Sequence, residues 1–273
     1  DSQPEIISLT IKADKIDNDK LIQSIAKTHK AMNTNNDIKS FDLKGMKLNN
    51  GYADIKEWTI KSMTASNVTG NFSIDEQGIF NAQNININVG NGNLTGDAAY
   101  NLNTSEADLN FELKNADADY IAETLLDAKN QIYGNANGRI MIHTQGTTAT
   151  ERTENLSGFV YFDINDGRMP KLGSLEYLLR ASNIIKSGLT TLSLNSVLEI
   201  LNLVKSGYFS NINGSCSIEN GIANDIEIFS TGDNLSMYIH GNYDISETRA
   251  DMEILGKLSD NITPILGPIG NTS

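Results

Sequence analysis

The chain has 273 residues, a formal net charge of −13 at pH 7 and a single cysteine. This charge argues against nucleic acid as a partner, because the phosphate backbone would repel it, and against tight docking on anionic lipid headgroups. One cysteine cannot form a disulfide or a cysteine-rich metal site within one chain. Hydrophobic residues are only 39% of the chain, which is typical of an elongated sheet with much surface for its volume.

The N-terminal region predicts one strand and one helix. Ile6 to Ile11 is apolar and β-branched, which favours a strand. Asp17 or Asn18 can cap a helix, predicted over 18–32, whose apolar residues recur at helical spacing. The Asn-rich run at 33–36 ends it.

From there to Leu113 the pattern predicts short antiparallel strands. Apolar residues occupy every second position and the residues between them are mostly Asn, Asp, Lys, Ser and Thr. This alternation is typical of a sheet with one face in water. The clearest alternating sets are Phe41 and Leu43; Trp58 and Ile60; Phe72 and Ile74; Ile85, Ile87 and Val89; and Leu109, Phe111 and Leu113.

The second half mixes strands with helices. Helices are predicted over 117–128, 170–186 and 194–205, and strands over 137–144, 156–164, 208–218, 222–229, 235–240 and 252–258. The polar, Thr-rich segment Thr144–Glu154 is predicted to be a mobile loop. Asn165-Asp166-Gly167 tolerates positive φ, so we expect a tight turn there.

The series of elements in the second half resembles the C-terminal module of the AsmA family of bacterial envelope proteins. The similarity rests on the apolar strand Leu156–Ile164 with its Asn-Asp-Gly turn, the leucine-rich helix after Pro170, the strand pair from Phe209 to Ala223, and Gly241-Asn-Tyr-Asp-Ile. It covers about residues 94–269, two thirds of the chain. We therefore divide the chain into residues 1–115, N-terminal strands and one helix continuous with the next part, and residues 116–273, the AsmA-like module.

The search for reactive groups predicts neither an enzyme nor a metal site. His29, His143 and His240 are far apart in sequence, and none has a second ligand at metal spacing. Asp163-Ile-Asn-Asp-Gly is similar to a calcium loop, but its Gly comes one position early and Ser174 stands where the bidentate Glu should be. We expect no cofactor and no catalytic residue.

The resemblance implies a function in lipid transfer, because AsmA-like proteins are similar to the bridge-like lipid-transfer proteins. The implied fold is mainly β: a long, curved antiparallel sheet, trough-like with an open apolar groove, and a few packed helices. The expected function is non-enzymatic transport of phospholipid along that groove between the inner and outer membranes. Period-two patterning selects as groove residues Ile85, Ile87, Val89, Leu109, Phe111, Leu113, Ile226, Ile228, Leu235, Met237 and Ile239.

The resemblance also implies a location and partners. We expect a periplasmic protein of the Gram-negative envelope, anchored in the inner membrane through segments outside this chain, which starts without Met and is expected to be a fragment or a processed product. Phospholipid acyl chains are the expected partners, with other envelope proteins as a second candidate. Two other functions stay open: a structural or assembly factor for outer-membrane components, and an adhesin or passenger domain, which would predict a constant repeat period and few helices.

Overall fold

The computed structural model describes residues 5–21, 23–24, 46–60, 63–126, 128–169, 208–232 and 235–258. About three quarters of these residues lie in twelve strands of one sheet. The strands are β1 Glu5–Asp17, β2 Lys47–Ile60, β3 Met63–Ile74, β4 Ile79–Val89, β5 Gly92–Asn101, β6 Glu106–Asp117, β7 Tyr133–Gln145, β8 Ser157–Arg168, β9 Tyr208–Glu219, β10 Ile222–Gly232, β11 Leu235–Asp244 and β12 Arg249–Leu258.

The strands are arranged in the sheet in the same order as in the chain, from β1 at one edge to β12 at the other. The sheet stays open, since β1 and β12 do not pair with each other. All pairs are antiparallel except β1 with β2, which is parallel. The predicted mainly β fold, a long sheet with few helices, is confirmed.

Five strands contain a bulge built on one short sequence pattern: an apolar residue, a polar residue, an Asn or Asp with positive φ, and a small or apolar residue. The Asn or Asp at the third position has φ between 49° and 55° in all five strands, a conformation that these two residue types tolerate best after glycine. The five segments are Ala65–Val68, Ala82–Ile85, Leu113–Ala116, Ile164–Gly167 and Ala223–Ile226.

Each bulge keeps the apolar residues on one side of the sheet. Between Ala82 and Ile85 the strand advances three residues while its partner advances two, from Ala98 to Gly96. Side chains two apart share a face, so Ala82 and Ile85 share one as well, although they are three apart. In the bulge of β10, the first and last residues, Ala223 and Ile226, pack in the same core cluster.

A polar side chain on the facing strand accepts a hydrogen bond from the bulge in three cases. The backbone N–H of Asn84 donates to Asp97 Oδ1 at 2.9 Å, and that of Asn115 donates to Asn137 Oδ1 at 3.0 Å. The N–H of Asp225 donates in the same way to Asn242 Oδ1 at 3.2 Å. The extra residue of the bulge is therefore not left with an unpaired N–H.

The tight turn predicted at Asn165-Asp166-Gly167 is wrong. Strand β8 runs through these residues to Arg168, and Asp166, with φ 51°, is the bulge residue. The tolerance of Asp for positive φ was inferred correctly, but a bulge requires it as much as a turn does.

Three helical segments flank the sheet. Helix α1 occupies residues 18–21 and 23–24, and Asp17 Oδ1 caps it by accepting from Lys20 N at 3.1 Å. Helix α2, Ala118–Leu126, confirms the predicted helix at 117–128. Among the described residues, no helix has both the length and the apolar character needed to cross a bilayer. The helices predicted at 170–186 and 194–205 lie outside the described residues.

The loop predicted at Thr144–Glu154 is wrong in most of its length. Thr144 and Gln145 belong to β7, and helix α3 follows at Ala149–Glu154. A capping box starts this helix: Thr148 Oγ1 accepts from Glu151 N at 3.1 Å, and Glu151 Oε2 accepts from Thr148 N at 3.1 Å. Reciprocal capping makes a polar six-residue segment helical without an apolar stripe.

The proposed boundary between residues 115 and 116 falls inside strand β6. Leu113 pairs with Gly138 and Ala116 with Ala136, so hydrogen bonds between β6 and β7 join the two halves in one sheet. The continuity expected between the two parts is consistent with this pairing, and the assignment of 116–273 as a family module stays a prediction.

Candidate functional site

One side of the sheet, here called the apolar face, carries Leu109, Phe111 and Leu113 together with their register partners. The strand pairings place apolar residues of β2–β5 and of β7–β12 on the same side, in rows that cross the sheet. All eleven predicted groove residues occupy positions on this face. One such row contains Ile85, Gly96, Phe111, Ile140, Val160 and Cys216.

The apolar face carries no charged residue at its register positions from β3 to β12. Among those positions the buried polar side chains are Thr144 and Ser230. At about 4.8 Å between neighbouring strands, a twelve-strand face extends for about 50 Å across the sheet. A face of this length without a charge is far more apolar than the composition of the whole chain suggests.

Four phenylalanine rings on this face lie over glycines of the neighbouring strand. A Cβ built on Gly96 would come within 2.7 Å of Phe111 Cδ1, and one on Gly51 within 2.4 Å of the Phe72 ring, so each ring occupies the space that a side chain would need. The full set of register pairs is Gly51 with Phe72, Gly96 with Phe111, Gly214 with Phe162 and Gly167 with Phe209. The rings cover the backbone at the glycines, where there is no side chain, so the face has no large protrusion at these positions.

Exposure divides the apolar face into a closed margin and an open centre. Near α2 the face is buried: Ala65 and Ala116 are 3% and 1% exposed. In the centre, Leu109 and Ile140 are each 38% exposed. Large apolar side chains in a solvated surface are unfavourable, so this centre is the part of the face available for an apolar ligand.

Helix α2 closes one margin of the face, next to β6 and β7, and reaches β3 through Tyr120. The Tyr120 ring lies against Gly90, and its hydroxyl donates to Thr64 O at 2.9 Å and accepts from Thr64 N at 2.8 Å. Asp117 Oδ1 caps the helix by accepting from Asp119 N at 2.9 Å. The helix is thereby fixed at one end of the strands and leaves the centre uncovered.

The predicted groove residues therefore fall into different environments. Leu109 is exposed in the open centre, with Ile85, Phe111 and Leu113 partly buried around it. Val89, 5% exposed beside α2, is packed in the closed margin, and Ile87 packs against the buried cluster of Ile55 and Val68.

The second group of predicted residues lies on β10 and β11. Ile226 and Ile239 are buried, each 9% exposed, while Ile228 and Met237 are partly buried. Leu235 pairs with Leu258 at the start of β11. These residues share the apolar face with the first group, but β7, β8 and β9 separate the two groups.

The residues that join the two groups were not selected from the sequence. Ile140, Ile142 and Val160 continue the rows of Leu109 and Phe111 across β7 and β8. The alternation of Ile140 and Ile142 is visible in the sequence and could have identified them. Cys216 lies in the same row on β9, and burial raises the pKa of its thiol.

A shallow depression of about 380 Å³ crosses β4 to β8 beside Leu109 and Ile142. Five of its thirteen lining residues, Ala82, Ala98, Leu109, Ile142 and Gly158, hold register positions of the apolar face. The other eight, which include Asp97, Asp108 and His143, hold register positions of the polar face.

The opposite side of the sheet, here called the polar face, carries the charges and a network of amide side chains. Asn211 Nδ2 donates to Asp163 Oδ2 at 2.7 Å and to Asn165 Oδ1 at 3.0 Å, which links β8 to β9. Exposed ion pairs, such as Lys114 with Glu112 at 3.0 Å, also lie on this face. The two faces therefore differ in charge, although the polar face also exposes large apolar side chains, among them Met141, Phe159 and Tyr161.

In comparisons with protein-family models, with curated proteins and with solved structures, no match to this chain was found.

Proposed function

We propose that this chain is a non-enzymatic protein of the bacterial envelope that carries phospholipid along its apolar face between the inner and outer membranes. The observation that supports this most is the apolar face, which carries no charge from β3 to β12 and leaves Leu109 and Ile140 exposed at its centre. In this proposal the acyl chains lie on the apolar face and the headgroups stay in water.

The energetics of lipid transfer favour a surface of this kind. Exposing a methylene group to water costs about 0.8 kcal/mol, so a bare sixteen-carbon chain costs on the order of 12 kcal/mol. A continuous row of Ile, Leu, Val and Phe side chains removes most of that barrier. Binding need not be strong at any one position, and weak binding at many positions allows the lipid to move.

The two-sided character of the sheet also supports the proposal. The polar face carries the charged side chains that keep the sheet in water. The Phe rings fill the space above their paired glycines, so these positions offer no deep site that would hold one lipid in place. The resemblance of residues 94–269 to the AsmA family gives the expected setting, the periplasm.

Photo-crosslinking in cells tests the proposal at neighbouring positions of one strand. A benzoylphenylalanine at Leu109, which is exposed in the open centre, or at Phe111 beside it should capture phospholipid. The same probe at Asn110 should not, because Asn110 is exposed and pairs with Met141 and Asp97 on the polar face. Equal labelling at Phe111 and Asn110, or none at any position, would refute lipid transport by this face.

A charged substitution on the apolar face can distinguish an effect on transport from an effect on folding. Phe111→Asp should lower the rate of phospholipid transfer between vesicles at least tenfold, because acyl chains would have to pass a carboxylate. Asn110→Asp, the matched control on the polar face, should leave transfer unchanged. Far-UV circular dichroism and native mass spectrometry follow folding and co-purified phospholipid in both variants; an active Phe111→Asp variant would count against the proposal.

The function as an assembly factor remains the second candidate, and the open edges of the sheet favour it. In the part of the chain that the structure describes, strands β1 and β12 each pair with a neighbour on one side, so either edge can add a polypeptide strand. Crosslinks from edge residues such as Ser8 to other envelope proteins, without lipid at Phe111, would support this function over transport.

A further inference from the structure

Three side chains of types that bind metal ions lie close together on the polar face, where β6 begins and β7 ends. Glu106 and Asp108 are two residues apart on β6, and the register places His143 directly opposite Asp108. His143 Nδ1 lies 2.8 Å from Asp108 Oδ1, and His143 Nε2 lies 3.8 Å from Glu106 Oε1. One ligand atom from each of the three residues lies within 4.8 Å of the others.

In one tautomer of His143 this geometry places the lone pair of Nε2 opposite a carboxylate. A neutral imidazole carries one N–H, and when Nδ1 donates it to Asp108, Nε2 presents its lone pair toward Glu106. Two electron donors in such proximity repel each other unless a cation lies between them. The cation can be a second proton on the ring or a metal ion.

The separation of the two donor atoms suits one metal ion. A Zn–N bond of about 2.0–2.1 Å and a Zn–O bond of about 2.0–2.2 Å together reach about 4.1 Å, slightly more than the 3.8 Å between Nε2 and Oε1. One ion can therefore contact both atoms at a wide N–Zn–O angle, and a shift of about 0.4 Å brings them to the separation of about 3.4 Å that a tetrahedral site requires. The side chains of His143 and Glu106 are 44% and 42% exposed, which leaves space for water molecules as the remaining ligands.

Asp108 would orient the ring rather than bind the metal. Histidine ligands of zinc usually donate their other ring N–H to a carboxylate, which fixes the tautomer and makes the free nitrogen a stronger donor. The 2.8 Å contact of Asp108 Oδ1 with Nδ1 is this arrangement.

We propose that His143 Nε2 and Glu106 bind a Zn²⁺ ion on the polar face, with Asp108 holding the imidazole in the ligating tautomer. The sequence alone predicts no such site, because 35 residues separate Asp108 from His143 and only the register of β6 with β7 brings them together. The site is independent of the apolar face and of lipid transport.

Calorimetric titration of the full chain with ZnCl₂ at pH 7 tests the proposal. We expect saturable binding of one equivalent, lost in His143→Gln and weakened at least tenfold in Glu106→Gln. Asp108→Asn should weaken it by about 10- to 100-fold, as is typical when a carboxylate partner of a histidine ligand is removed. Mg²⁺ at the same concentration should not compete, because imidazole is a poor ligand for it.

His240 provides the matched control. Its Nε2 lies 2.9 Å from Glu253 Oε2, so it is also an exposed histidine beside a carboxylate on an antiparallel pair of strands. His240→Gln should bind Zn²⁺ as the wild type does. Zn²⁺ should also raise the melting temperature of the wild type and of His240→Gln but not of His143→Gln. Absence of one-equivalent binding, or binding that survives His143→Gln, would overturn the proposal.

Discussion

An Asn or Asp in the left-handed conformation interrupts five strands, and the side chain at this position decides whether the strand can bend there. A residue with a Cβ pays about 1–2 kcal/mol to adopt positive φ, and Asn and Asp reduce that cost through local hydrogen bonds. Asn84, with φ 53°, is a representative case, and its N–H donates to Asp97.

Replacing Asn84 by valine should lower the free energy of unfolding by about 1–2 kcal/mol, because a β-branched residue resists positive φ. Asn84→Gly should cost clearly less, since glycine adopts this conformation freely and the backbone N–H remains. Denaturant titration measures both values. Gln83→Val, at the exposed neighbouring position of β4, is the control and should have little effect; equal losses for glycine and valine at position 84 would contradict the role of φ.

At the scale of single residues, the alternation of apolar and polar residues predicts which side chains share a face, and the bulges limit that prediction. The alternation that selected Ile85, Phe111 and Leu113 is real, but each bulge shifts it by one position. The sequence predicts a turn at Asn165-Asp166-Gly167, because Asn, Asp and Gly with positive φ are typical of turns. A single copy of the four-residue pattern does not distinguish a bulge from a turn, whereas its repetition in five strands does.

Helix α3 is held together by its ends. Glu151 Oε2 accepts from the N–H of Thr148 at 3.1 Å and of Thr147 at 2.8 Å, and from Thr147 Oγ1 at 2.9 Å. These hydrogen bonds favour the ionised carboxylate and lower its pKa below the ordinary value of 4.5. The contribution of Glu151 is therefore fully present above pH 4.5 and is lost as the pH falls through the lowered pKa of the folded state.

We expect hydrogen-exchange protection of the Arg152 and Asn155 amides to fall as the pH is lowered below 4.5. These amides donate to Thr148 O and Glu151 O and report directly on the helix. Glu151→Gln should give weaker protection with no such pH dependence, and Thr148→Ala should weaken it at every pH. Thr150→Ala, at an exposed position of the same helix, is the control; an unchanged pH dependence in Glu151→Gln would disprove the role of the carboxylate.

Among the elements, those with an apolar stripe could be predicted and those without one could not. Helix α2 follows from the spacing of Tyr120, Ile121 and Leu125, whereas α3 carries no buried residue and depends on capping. The parallel pairing of β1 with β2 has no counterpart in the local sequence, because it depends on the connection between them.

At the scale of the whole molecule, the chain has a formal net charge of −13, and the charged residues of strands β3 to β12 lie off the apolar face. Like charges on one side of a sheet repel each other and destabilise the folded state, and salt screens this repulsion. The Debye length falls from about 30 Å at 10 mM ionic strength to about 3 Å at 1 M.

Raising NaCl from 10 mM to 1 M should therefore increase the melting temperature, which differential scanning calorimetry measures. A variant with two fewer negative charges, Glu154→Gln with Glu219→Gln, should gain less from salt, because both residues are exposed and add to the repulsion. A wild-type melting temperature that falls with salt would show that the attractive ion pairs outweigh the repulsion.

The sequential order of the strands gives the apolar face an adjustable length. Each strand contacts its neighbours in the chain, so a two-strand hairpin can be inserted or deleted with the gain or loss of two strand–strand interfaces, as in repeat proteins. At about 4.8 Å per strand, each two-strand unit changes the span by about 10 Å. Duplication of a hairpin within the gene can thus lengthen the apolar face, and the number of hairpins sets the distance that this face spans.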